Sequence, residues 1–217
     1  MQMTDVLPTR CCKSMRLSPE NKVPQQGFRD GDNSLHNLLL HALARSVSRL
    51  NSNYFFSCLH PSDQTTLLKA AWREICLLGA AYSPIDFSLH FAVHTSKMSD
   101  NEKKDADAIR RIHDAVVACH SLNADPVELW FMDTIMFLRP DIGNLVDSGK
   151  VRTLRDRAQV SLRNYLSKAQ AHNPARFGQV LLLLPILCAV AGDVESIVVG
   201  SDHGKNLVSK LLNFTQH

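Results

Sequence analysis

Two segments are so apolar that neither can turn a side towards water, and they limit the possible folds more than any other feature. The first carries apolar side chains around a wide arc of one helix: Leu67, Leu68, Ala71, Trp72, Ile75, Cys76, Leu78 and Gly79. The second is the twelve-residue run 180–191, which contains Pro185 and is too short to span a bilayer. Each helix therefore needs other helices on two sides, which predicts three layers.

The rest of the chain has mainly helical periodicity and predicts an all-α domain of seven or eight helices. Apolar spacings of three and four, together with stop and start residues, place helices over roughly 35–50, 61–82, 105–122, 126–138, 150–171 and 174–192, with two further short apolar segments at 194–199 and 207–212. Asp125, Pro126 and Glu128 form a capping-box pattern, and Glu128 is also a candidate for an ion pair with Arg176 on another helix. Ser62 is a candidate N-cap, and Gly192 is a stop signal.

The domain organisation follows from where this periodicity begins. Residues 1–33 show no period and predict a disordered or hinge-like N-terminal arm. Residues 34–217 then form one domain, since a chain of this length buries about 70% of its surface and supports a single core. Residues 83–97 alternate weakly, so they fit a short hairpin or loop as well as a helix.

The charge of the chain names no partner by itself. A net charge of +3 is too small for a general nucleic-acid or membrane-surface binder. The predicted helix that begins near Lys150 is basic, but its cations are scattered and mixed with Asp156. This pattern indicates a solvated face rather than a stripe that binds DNA.

The cysteines, histidines and short motifs of the sequence indicate neither an enzyme nor a metal site. The six cysteines include no C-x-x-C pair, so we expect reduced thiols and no zinc or other cofactor. His90 and His94 have helical i, i+4 spacing, but no third ligand stands at a useful distance in the sequence. The chain also lacks the motifs G-x-S-x-G, G-x-x-x-x-G-K and H-E-x-x-H, so we expect no catalytic residues.

One block carries a specific resemblance. Residues 56–74 contain an aromatic and a leucine, then Asp63-Gln64, two apolar residues and Trp72-Arg73-Glu74, followed by Leu-Leu-Gly-Ala at 77–80. With a second block at 127–185, this pattern resembles the ligand-binding domain of nuclear hormone receptors over about residues 35–214. The similarity is closest to the tailless, photoreceptor-specific and retinoid X receptor group.

The resemblance implies a fold, a location and a class of function. The fold would be a three-layer antiparallel helical sandwich, and the protein would be a nuclear transcriptional regulator. A full receptor also needs two Cys₄ zinc modules of about 70 residues, which neither this length nor this cysteine spacing supplies. The resemblance therefore implies a ligand-binding domain at 34–217 without the zinc-finger domain, reaching DNA only indirectly.

The resemblance also implies a groove that binds short coregulator helices, either corepressor or coactivator. Its predicted residues are Val47, Asn51, Gln64, Thr65, Leu68 and Lys69. Lys69 would complement the carbonyl end of the bound helix. The second clamp lysine of the family matches Asn51, with Arg49 two residues earlier, and the family's glutamate in the last helix falls at Asn213 and Phe214. Both replacements lack the family's charge, which indicates a receptor that represses, with its last helix either in the groove or leaving it to a longer peptide.

A ligand pocket is implied as well. Its candidate residues are Leu38, Leu39, Ala42, Trp72, Cys76, Ala80 and Ser83. In retinoid-binding relatives the positions of Ala42 and Ser83 hold the ligand carboxylate, and neither side chain here is charged. An acidic lipid would be buried without a cation, so we expect function without a ligand, with a small apolar ligand as the alternative.

The helix that begins near Val180 would form the dimer surface in this resemblance, through Val180, Leu183, Leu184 and Cys188. Relatives carry basic residues at the positions of Leu183 and Cys188, so this face is more apolar here and leaves homodimer and heterodimer open. Three functions remain: an orphan repressor module, a ligand-gated receptor module, and a dominant-negative partner that pairs with other receptors without binding DNA.

Overall fold

The computed structural model describes residues 35–83, 88, 91–92, 103–199 and 202–213. The N-terminal arm, both histidines of the 90/94 pair and most of the weakly alternating segment lie outside the described residues. The helices whose bounds lie within the described residues are named α1 to α8 here and run over Leu35–Asn51, Tyr54–Ser57, Pro61–Ala81, Lys103–Ser121, Pro126–Phe137, Ser148–Ala169, Arg176–Val199 and Asp202–Asn213. The described part of the chain contains no strand, and the prediction of an all-α helical sandwich is confirmed.

Helix α3 is the centre of the fold. It packs against α1 on one side and against α4, α5 and α7 on others, while α8 also contacts it. Its last two turns are buried without interruption, from Glu74 to Ala81. The prediction that other helices cover this helix on two sides is therefore confirmed.

The crossing of α1 and α3 is close enough to require a glycine. A Cβ atom on Gly79 would lie 2.7 Å from the carbonyl oxygen of Ala42 and would also collide with the hydroxyl of Ser46. Because the first of these is a backbone atom, a side chain at Gly79 would push the two helices apart. The glycine fixes how near the central helix lies to α1.

Local signals explain most helix ends. Asp125 accepts from the backbone N–H groups of Val127 and Glu128, and the Glu128 carboxylate accepts from the Asp125 N–H, so the predicted capping box is confirmed. The candidate cap at Ser62 is wrong. His60 caps α3 instead, with its Nδ1 accepting from the Ser62 N–H at 3.2 Å. Pro61 stands at the first helical position and has no N–H of its own, so the first N–H that the imidazole can accept from is that of Ser62.

Helix α7 corrects two predictions. It runs past Gly192 to Val199, because Asp193 and Glu195 pair with arginines on neighbouring helices and hold the last turns in place. It is also open on one side: Leu182 is 70% exposed and Ile186 is 41% exposed. The prediction of cover on two sides is therefore wrong for this helix. Its hydropathy is nearly uniform around the axis, so the pattern could not show which side packs.

Candidate functional site

Helix α8 lies against the two helices that carry the predicted groove residues. It packs on α1, α3 and α7, and its Val208 and Leu212 are buried in the main hydrophobic core. Val47 on α1 and Leu68 on α3 are buried in the same core, while Gln64 and Thr65 are half-buried and Asn51 and Lys69 are exposed. The last helix thus contacts both helices that carry the predicted groove residues.

The polar groups near this surface are mostly committed to the fold. Gln64 Nε2 donates to the carbonyl oxygens of Phe56 at 2.9 Å and Leu59 at 3.3 Å, and so ties α2 to the start of α3. The Thr65 hydroxyl donates to the carbonyl oxygen of Pro61. Lys69 has no carboxylate within 4.0 Å among the residues that the structure describes, so its ammonium group is available at the surface.

Arg49 cannot replace the missing clamp lysine. Its Nε donates to Oδ2 of Asp133 at 2.9 Å, and a second nitrogen donates to the Ser46 hydroxyl at 2.9 Å. Burial raises the pKa of the Asp133 carboxyl, and the Arg49 guanidinium acts in the opposite direction. Removing Arg49 from this pair would leave an uncompensated buried acid, so the arginine stays against α5.

Two acids of the signature block hold loops and helices together. The Asp63 carboxylate accepts from the backbone N–H groups of Val146 at 2.7 Å and Asp147 at 3.2 Å, which fixes the loop before α6. Glu74 accepts from Arg139 at 3.3 Å, just after α5. The sequence could not predict these contacts of Asp63, because its loop partners lie more than 80 residues away.

The predicted pocket residues form part of the interior. Leu38, Leu39, Ala42, Trp72, Cys76 and Ala80 are all buried, and Ser83 is half-buried. The Cys76 thiol donates to the carbonyl oxygen of Leu39 at 3.1 Å. Burial raises the pKa of this thiol to about 12. The hydrogen bond from Cys76 to Leu39 and the close approach of Gly79 to Ala42 bring part of this set together between α1 and α3.

The four residues predicted for the dimer helix do not share one surface. Val180 and Leu183 are buried against this chain's own core, Leu184 is half-buried, and Cys188 is exposed. The open side of α7 is instead centred on Leu182, with Pro185, Ile186 and Ala189 beside it. Spacing alone could not assign these faces, since apolar residues occur all round the helix.

Helix α7 is long and apolar enough to cross a membrane by length and composition. The helix has 24 residues, twice the run read from the sequence. In the structure, however, its second half is tied sideways to other helices. Arg111 donates twice to Asp193, at 2.9 and 2.7 Å, and Arg73 donates to Glu195 at 2.8 Å. These ion pairs and its buried side make it a core helix of this fold.

A buried ion pair joins the start of α7 to α5. Arg176 donates to both carboxylate oxygens of Glu128, at 2.6 and 2.7 Å, and to the carbonyl oxygen of Leu122 at 2.9 Å. The hydrogen bonds to Glu128 raise the pKa of the guanidinium. Tyr165 on α6 donates to the capping Asp125, which adds a third helix to the cluster. The pairing of Glu128 with Arg176 was predicted from the sequence and is confirmed.

Comparison with known families gives one clear match. The profile of the ligand-binding domain of nuclear hormone receptor matches residues 33–195, well over half of the chain. The chain belongs to this family. Its members are transcription factors rather than enzymes, which confirms the expectation of a non-enzymatic protein. Among the described residues, no group of three or more His, Cys, Asp or Glu side chains could hold a metal ion.

Relatives place this ligand-binding domain in one receptor group. Nuclear receptor subfamily 2 group F member 6 is 32% identical over 150 residues in Rattus norvegicus, and 31% identical in both Mus musculus and Homo sapiens. Each match covers 65% of this chain but only 37–38% of the relative. The tailless and retinoid X receptors fall in the same group, so the resemblance read from the signature is confirmed.

Proposed function

We propose that this chain regulates transcription in the nucleus as an orphan, repressor-leaning receptor whose last helix occupies its own coregulator groove. The packing of α8 on α1 and α3 carries the proposal. Val208 and Leu212 are buried four positions apart on α8, and Val47 and Leu68, the residues predicted to form the groove floor, are buried on the two helices that α8 contacts. An apolar pair with this spacing, on a helix that packs on α1 and α3, resembles the apolar face of a coregulator helix.

Charge at the two ends of the groove favours corepressors over coactivators. Lys69 supplies a cation for the carbonyl end of a bound helix, while Asn51 is neutral and Arg49 is held by Asp133. The only acid in α8 is Asp202 at its start, and the end of the helix carries Lys210. The amide end of a coactivator helix therefore finds no carboxylate at the end of α8, where the family's glutamate stands.

The proposal predicts that loosening α8 opens the groove. Val208→Asp with Leu212→Asp places two carboxylates in the core and should release the helix. Binding of a labelled corepressor-helix peptide should then tighten at least tenfold, and Lys69→Glu should weaken it in either background. Lys210→Glu is the matched control, because this exposed side chain lies on the same helix. Unchanged peptide affinity in the double variant, or tight coactivator binding by the unaltered chain, would contradict the proposal.

Dimerisation through the open side of α7 is the second part of the proposed function. The exposed side chains of Leu182 and Ile186, with Leu184 and Cys188 at the edges, form an apolar surface. Burial of such a surface against a partner is favourable. Both a second copy and another nuclear receptor fit this chemistry. Leu182→Glu with Ile186→Glu should lower the mass measured by light scattering, alone or mixed with a retinoid X receptor domain. Val160→Glu, at an exposed valine on α6, should leave the mass unchanged.

Two alternatives make different predictions. A ligand-gated module would hold a small apolar molecule among the buried residues of α1 and α3, and lipid extract would then raise the melting temperature. A dominant-negative partner would depend on α7 but not on the groove. Its effect on other receptors would survive Lys69→Glu and disappear with the Leu182 and Ile186 changes. Function without an acidic ligand remains our proposal, because Ala42 and Ser83 provide no cation.

A further inference from the structure

Helix α6 concentrates the positive charge of the molecule. It carries the cations Lys150, Arg152, Arg155, Arg157, Arg163 and Lys168, and its one acid is Asp156. Its net charge of +5 exceeds the +3 of the whole chain, so the rest of the chain is net acidic. The near-neutral total therefore conceals one strongly basic helix, and we name these six side chains the cationic face of α6.

Most of the cationic face has no partner within the fold. Within the described ranges, only Arg155 has a carboxylate within 4.0 Å, that of Asp156 at 3.8 Å. The other five cations are exposed. Even Arg155 keeps its Nε buried without a hydrogen-bond acceptor. Solvent and salt screen such charges, but nothing in the described part of the molecule neutralises them.

Several of these charges do not stabilise their own helix, although Lys168 in the last turn does complement its dipole. Lys150 lies in the first turn, where the positive end of the helix dipole disfavours a cation. Arg152 and Arg155 stand at i, i+3, where like charges repel. A helix that served only as a solvated cover would gain from glutamates at such places. The stability of the helix therefore does not explain most of the cationic face.

An apolar side chain lies in the middle of the charges. Lys150, Arg157 and Lys168 fall in one row along the helix, and Arg152 and Arg163 fall in a second row, with Val160 between them by helical geometry. Val160 is 52% exposed. The phosphate backbone of a nucleic acid has no apolar group to place there, whereas a peptide can place one apolar side chain between its acids.

We propose that the cationic face of α6 binds an acidic protein segment that sets one apolar side chain on Val160 between its carboxylates. None of its residues belongs to the predicted groove on α1 and α3 or to the open side of α7. Charge complementarity on this scale sets the association rate and the choice of partner more than the final affinity. The contact should weaken steeply with salt.

Binding can be measured by fluorescence anisotropy at low salt, with a short labelled peptide that alternates glutamate and glycine around one leucine. The triple variant Arg152→Glu, Arg157→Glu, Arg163→Glu should bind this peptide at least about tenfold more weakly. Val160→Ser, or serine in place of the peptide's leucine, should weaken binding about threefold. Arg45→Glu is the control for charge alone, since this arginine is exposed on α1.

The alternatives give distinct outcomes. Equal binding by the unaltered chain and the triple variant would overturn the proposal, as would an equal loss in Arg45→Glu. A short DNA duplex that bound more tightly than the peptide, with no effect of Val160→Ser, would show a polyanion surface instead. Lys69→Glu should leave peptide binding unchanged, which separates this site from the coregulator groove. Circular dichroism of each variant is the control for folding and should match that of the unaltered chain.

Discussion

The two helices whose sequences indicated burial on more than one side have opposite relations to water. Helix α3 is buried along its last turns among its neighbours, while α7 buries one side and exposes Leu182 and Ile186 on the other. Their apolar sequence patterns do not reveal this difference. The apolar composition of a helix predicts how much of its surface is buried. It does not predict whether that surface is buried by the same chain or by another molecule. The open side of α7 is therefore evidence for a partner.

The largest contrast should appear in thiol reactivity. Cys76 on α3 is buried, and burial raises its pKa to about 12, so its reaction requires unfolding. Cys188 on α7 is exposed, although partial burial also raises its pKa. Because the thiolate is the form of cysteine that reacts, alkylation of Cys188 should become faster as the pH rises towards the pKa of this thiol. Mass spectrometry after iodoacetamide treatment should show Cys76 about a thousandfold slower. Similar rates would contradict the difference in burial.

Truncating one leucine on each helix tests the packing directly. Leu78 on α3 is fully buried, so Leu78→Ala should lower the free energy of unfolding by about 2–5 kcal/mol. Leu182→Ala on α7 should change it by less than about 0.5 kcal/mol in the monomer. Urea titrations followed by circular dichroism measure both values. Equal losses would mean that the open side of α7 is covered in solution. If the loss in Leu182→Ala became smaller at lower protein concentration, the cover would be a dimer partner.

Glycine substitutions should change stability in opposite directions on the two helices. Gly79→Ala places a methyl group against the Ala42 carbonyl, so it should destabilise the domain by about 1–3 kcal/mol. A Cβ on Gly192 meets nothing within 4 Å, so Gly192→Ala should stabilise α7 by up to about 1 kcal/mol. Thermal melts distinguish the two signs. A neutral Gly79→Ala would show that α1 and α3 cross with more space than the structure gives.

The smallest effect concerns the ion pairs that hold the end of α7. Arg111 and Asp193 form a pair with two hydrogen bonds at the surface, which should contribute about 0.2–1 kcal/mol in a double-mutant cycle. High salt should reduce that coupling energy. Arg110 and Asp107, on one exposed helix face, are the comparison pair and should couple more weakly. A coupling energy of zero would remove our explanation for the helix continuing past Gly192.

Local signals predicted much of the fold. The helical periods, the capping box at Asp125 and the pairing of Glu128 with Arg176 follow from spacing and from charge on neighbouring helices. The cover of α7, its continuation beyond Gly192 and the cap at His60 do not. Each depends on contacts that form only on folding, such as that of Asp193 with Arg111.

The candidate site shows the same limit. The signature predicted which helices would carry the groove, and in the structure α8 packs on both of them. The groove itself stays a prediction. The sequence could not show that Asp133 holds Arg49, because 84 positions separate them. Nor could it show that Val180 and Leu183 turn inward, since neither differs in character from Leu182.

Hydrogen exchange with and without a corepressor-helix peptide tests whether α8 occupies the groove. The peptide should displace the last helix, so that amides within 202–213 exchange faster while those of α1 and the first turns of α3 become protected. Slower exchange in α8 on binding would contradict this prediction, because the helix would then support the peptide instead of competing with it.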